Sequence, residues 1–84
     1  MTRAAKYIIY DDGLDDIAVI FPNHVNHNSM AMMLGCKPIS AGFVEIDGTK
    51  NDDPRVVAFG HSVSLGLKSR PEDSKIIQKM LVGN

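Results

Sequence analysis

The chain has 84 residues, of which 44% are hydrophobic and 23% charged, and its formal net charge is −1. That length holds one domain, spanning 1–84, and the balance is that of a folded globule rather than a disordered segment. The near-neutral charge argues against a general nucleic-acid or anionic-membrane binder, which carries a basic excess.

The only cysteine is Cys36, so no disulfide can form within the chain, and a reducing cytoplasmic location is the simplest expectation. The apolar stretch Tyr7–Tyr10 is too short for a secretory h-region. No apolar run approaches the ~20 residues needed to span a bilayer as a helix, so no membrane partner is expected.

Tyr7-Ile8-Ile9-Tyr10 is aromatic and β-branched and reads as a first strand. Asp11-Asp12-Gly13-Leu14-Asp15-Asp16 carries an Asp-Gly turn signal and four carboxylates, so it reads as a solvated hairpin tip. Ile17–Phe21 is the returning strand, stopped by Pro22.

The period then changes to that of a helix over 27–34. Asn26 is placed to cap it, Val25 and Met30 to form a hydrophobic staple, and Gly35 to end it. Met30, Met33 and Leu34 share one face of this helix and are the expected buried set, while Met32 points outward.

Ile39–Ile46 reads as a third strand, followed by a long polar turn over 47–54. A fourth strand begins at Arg55. Gly60 reads as a bulge, and the polar–apolar alternation of His61–Leu65 suggests that the strand continues. Ser69-Arg70-Pro71-Glu72 fits a capping box, with Ser69 at N-cap and Glu72 at N3. Ile76, Ile77, Met80 and Leu81 form the apolar stripe of a second helix, which Gly83 ends.

The order is ββαββα. The expected fold is α+β: a four-stranded, mainly antiparallel sheet with two helices packed on one face and the other face open. On that open face, Ser40, Gly42, Ser62 and Ser64 would make a flat, small-residue surface for a partner, rimmed by Lys68 and Arg70.

Catalytic motifs are missing. Gly60-His61-Ser62-Val63-Ser64 lacks the strand-to-helix context of a nucleophile elbow, and no phosphate-cradling glycine motif is present. The expected function is therefore non-enzymatic: a small protein-interaction or regulatory module, able to act as a homodimer and needing no cofactor.

Two alternatives have residues behind them. A nucleic-acid-associated regulator would use Lys68, Arg70, Lys75 and Lys79 around the second helix. A metal-binding protein would use His24, His27 and Cys36, which are ligand types for zinc but match no zinc spacing. Their plainer reading is loop polarity beside a small buried thiol.

Overall fold

A computed structural model describes residues 4–47 and 55–82. The first strand β1 (Ala5–Asp11) and the second strand β2 (Asp16–Phe21) form the expected hairpin, with Lys6 opposite Phe21 and Asp11 opposite Asp16. Helix α1 (His27–Leu34) leads to β3 (Pro38–Asp47), which lies antiparallel on the other side of β1. β4 (Arg55–Phe59) pairs with the second half of β3. The strand order is β2-β1-β3-β4.

The architecture is α+β, but the helices do not share a face. Tyr7 and Ile9 pack with Val44, Val56 and Ile77, the last from α2 (Asp73–Leu81). Ile8 packs with Phe21, Ala41 and Ala31, the last from α1. Successive side chains of a strand point to opposite faces. The helices therefore cover opposite faces of the sheet, and β1 is buried on both. The expectation of helices on one face is corrected by Tyr7, Ile8 and Ile9, all fully buried. A central strand apolar on both sides requires a cover on each.

β4 does not continue past Gly60. This residue has φ +79°, a left-handed conformation that glycine adopts without steric cost, and it turns the chain out of the sheet. Residues beyond it form a second, minimal hairpin, β5 (His61–Ser62) with β6 (Leu67–Lys68). The alternation from His61 to Leu65 thus belongs partly to a turn, closed by Gly66 N–H donating to the carbonyl of Ser62 at 3.0 Å. This hairpin packs beside the first half of β3, where β4 is absent. At the departure point, a Cβ on Gly42 would lie 2.5 Å from the Phe59 carbonyl oxygen, so only glycine lets the two backbones come this close.

Both α1 caps form as expected. The Asn26 side chain accepts from the N–H groups of Asn28 and Ser29, and Gly35 closes the helix. The buried side of α1 differs from the expected one: it is His27 and Ala31, with Met30 half-buried, while Met33 and Leu34 are exposed. The staple selects this rotation, since Val25 and Met30 both pack on the cluster around Ile8.

α2 starts later than the capping box predicts. Asp73, not Glu72, reaches back, its Oδ2 accepting from Arg70 N–H at 2.9 Å. Ile77 is buried and Ile76 packs beside it. The helix stop expected at Gly83 and nearly all of the polar turn over 47–54 lie outside the described residues.

Candidate functional site

The small-residue surface is not open. Ser40 and Ser62 are buried, and so is Gly42. The Gly42 carbonyl accepts a hydrogen bond from His27 Nε2–H at 2.8 Å. Ser62 Oγ lies 3.3 Å from Ser64 Oγ and accepts from Leu65 N–H. Ser64, which is exposed, accepts from Asn28 N–H at 3.3 Å and so pins the second hairpin to the start of α1. The four residues serve packing and turn formation rather than forming one presented face. Ser40 Oγ is buried with no hydrogen-bond partner.

Arg70 anchors a network that sequence reasoning missed. Asp73 is completely buried at the start of α2. Its Oδ2 accepts from the Tyr7 hydroxyl at 2.6 Å, and its Oδ1 accepts from Arg70 Nε at 2.9 Å. Arg70 also lies within 3.6 Å of Asp16 and 3.7 Å of Glu72. Burial, reinforced by the neighbouring Asp73 carboxylate, pushes the Tyr7 hydroxyl well above its ordinary range. For Arg70, burial works against the charge, but the hydrogen bond and charge of Asp73, aided by Glu72 and Asp16, outweigh it and hold the proton more firmly.

This arrangement has consequences for anion binding. One guanidinium faces three carboxylates, and the first turn of α2 is already occupied by a carboxylate of the chain itself. A phosphate at this point would meet an excess of negative charge. Lys68 and Lys75 remain exposed. Lys79 lines a groove with Asp11, Asp15 and Asp16, so it too faces acid.

The metal candidates do not converge. His27 is buried edge-on between Phe21 and Phe43, with ring centroids 5.5 and 5.7 Å away, and its Nε2 is committed to Gly42. Burial lowers its pKa against the opposing bond to Gly42, which keeps the ring neutral. His24 is exposed and Cys36 half-buried. Burial pushes the Cys36 thiol up, away from the reactive thiolate. Among the described residues, no three His, Cys, Asp or Glu side chains are placed to hold a metal ion.

The exposed surface is where apolar groups are left over. Leu14 is 90% exposed at the first hairpin tip and Val63 85% at the second, and Met32 and Met33 are each 73% exposed on α1. Asn28 Nδ2–H donates to Met32 Sδ at 3.6 Å while its backbone N–H is held by Ser64. No described helix is long and apolar enough to cross a membrane. No protein-family model, curated protein or solved structure matches the chain.

Proposed function

We propose that the chain is a small, non-enzymatic protein-interaction module. The observation that carries this reading is the exposed pair Met32 and Met33 on the outward side of α1. Unbranched, polarizable methionines adapt to a partner's shape, and apolar groups gathered on a surface mark contact sites. The polar groups with chemical potential point the same way. Tyr7, Asp73, Arg70 and His27 are used to fasten helices to the sheet. A cytoplasmic location belongs to this reading and is supported by the single, unpaired Cys36.

The test is a double variant, Met32→Glu with Met33→Glu. Both positions are solvent-facing, so circular dichroism should report an unchanged fold. The wild-type chain is expected to retain a protein in a fixed stoichiometric ratio, and the double variant to release it. Retention by the variant, or no protein bound by the wild type, would overturn the reading. Salt-sensitive retention of DNA or RNA instead would favour the alternative based on Lys68, Arg70, Lys75 and Lys79.

A further inference from the structure

Helix α1 is held to its face of the sheet by a residue that a single proton can change. Of its eight residues, His27 and Ala31 are the buried ones. The His27 ring stands edge-on between Phe21 and Phe43, and its Nε2–H donates to the Gly42 carbonyl at 2.8 Å. A ring that donates from Nε2 keeps its lone pair on Nδ1, which is where a proton would bind. Lys6 lies opposite Phe21 on one side and Phe43 on the other. Residues directly opposite on neighbouring strands share a face, so Phe21, Lys6 and Phe43 form one row under the histidine. Lys6 Nζ donates to the Val25 carbonyl at 2.9 Å, just ahead of the helix.

We propose that His27 is an acid-opened latch: when Nδ1 takes a proton, α1 leaves the sheet while α2 stays docked. A charged ring is poorly placed where His27 sits. Lys6 already brings a positive charge to it. The first residue of a helix also lies at the positive end of the backbone dipole. No buried carboxylate offsets these, because Asp73, the only one among the described residues, is on the opposite face with Tyr7. The elements around the ring add little. β2 is uncharged from Ile17 to Phe21, and α1 has no ionisable side chain besides His27. The second hairpin presents Leu65 and Leu67 to this cluster, and its Lys68 is exposed. The Cys36 thiol packs on the cluster too, and burial pushes its pKa up, so it stays neutral. His24 and Lys37, in the loops flanking α1, are exposed. Glu45 follows Phe43 on the same face of β3 but is exposed, so solvent screens it.

Burial and Lys6 outweigh the bond to Gly42 and hold the docked ring below its ordinary 6.5. Once in water the ring regains that value. The open form therefore binds the proton more readily, and acid favours opening. A helix of eight residues draws its stability from packing, so α1 should also fray once released. Opening uncovers Ile8, Phe21 and Ala41. Met32 and Met33 ride on α1, so the contact surface proposed above would be complete only near neutral pH. The latch itself does not rest on that reading.

The test is amide hydrogen exchange between pH 7 and 5, corrected for intrinsic exchange rates, with the His27 ring followed by NMR in the same samples. Protection of the α1 amides should fall by up to about tenfold per pH unit below 6.5, the slope of one bound proton, and level off below the pKa of the docked ring. The α2 amides should keep their protection. His27→Gln, which keeps a donor for Gly42, should leave α1 protection independent of pH. Lys6→Met, which keeps an apolar stem without the charge, should raise the docked ring's pKa and shrink the loss of protection. A ring that titrates at 6.5 or above, or α1 protection that falls equally in His27→Gln, overturns the proposal. Parallel loss in α1 and α2 overturns it too, since His27 would then act on the whole fold rather than on one helix. Should His27→Gln fail to fold, the ring titration and the comparison of the two helices in the wild type decide alone. The Met32–Met33 experiment is read at neutral pH, so either result there leaves the latch standing or falling on its own test.

Discussion

His27 and Asp73 do the same task on opposite faces of one sheet by different means. Each is the first residue of its helix, each is buried, and each fastens that helix to the strands beneath it. The two fastenings converge on a single cross-strand pair, since Asp73 accepts from Tyr7 and His27 donates to Gly42, the residue opposite Tyr7. His27 achieves this as a neutral ring with one hydrogen bond and aromatic walls. Asp73 does it as an ion that needs Tyr7, Arg70 and the backbone together. The comparison shows that a buried neutral group depends mainly on packing, whereas a buried charge depends on every partner remaining in place.

The largest effect should come from breaking the ionic fastening. Asp73→Ala leaves the Tyr7 hydroxyl without its acceptor and Arg70 without its closest carboxylate, and should cost about 3 kcal/mol in urea unfolding. His27→Ala strands the Gly42 carbonyl and opens space between Phe21 and Phe43, costing about 2 kcal/mol. If His27→Ala proves the more damaging, the ranking of charge over packing is wrong. Tyr7→Phe sharpens the contrast, because Asp73 keeps both bonds from Arg70; a loss of about 1 kcal/mol is expected. Combining Tyr7→Phe with Asp73→Asn should give less than the sum of the single losses, and strict additivity would show that the pair is not coupled.

The smallest effect is a pH dependence that belongs to His27 alone. Its pKa in the folded chain lies below the ordinary 6.5, so the unfolded chain binds the proton more readily. The His27 contribution is therefore complete above about pH 6.5 and is lost as pH falls through the lowered value. Wild type should lose stability between pH 7 and 5 relative to His27→Gln, which keeps a donor for Gly42 but no titrating ring. Parallel stability curves for the two proteins would show that His27 does not titrate with folding.

Features whose cause is local were legible in the sequence. Asn26 and Gly35 bound α1, and the Asp-Gly turn joins β1 to β2, because a cap or turn needs only its immediate neighbours. Features whose cause is distant were not. The polarity of Asp73 suggests a solvated helix start; its burial draws on Arg70 nearby and on a hydroxyl 66 positions away, and the second partner has no local signal. His27 likewise depends on a carbonyl 15 positions on. The open sheet face was a misreading with a visible warning: Tyr7-Ile8-Ile9 is a continuous apolar run, the pattern of a strand covered on both sides. Gly60 marks an irregularity, but a bulge and a departure from the sheet place glycine at the same position. As for the surface residues, the serines fail as a contact face because Ser40 and Ser62 are buried and Ser64 is bonded to Asn28, while the exposure of Met32 is readable from helical spacing alone.

The central position of β1 also sets an order of events during synthesis. Everything that packs around Ile8, from Ala31 of α1 and Ala41 of β3 to Leu65 and Leu67 of the second hairpin, precedes α2 in the chain. The opposite side, Tyr7 and Ile9, waits for Ile77 near the far end of the chain. A growing chain halted before α2 would display the four-stranded sheet with one covered side and one bare apolar side. It would also leave the Tyr7 hydroxyl with no acceptor. The Tyr7–Ile9 side of the sheet is thus most exposed to misassociation just before α2 is made.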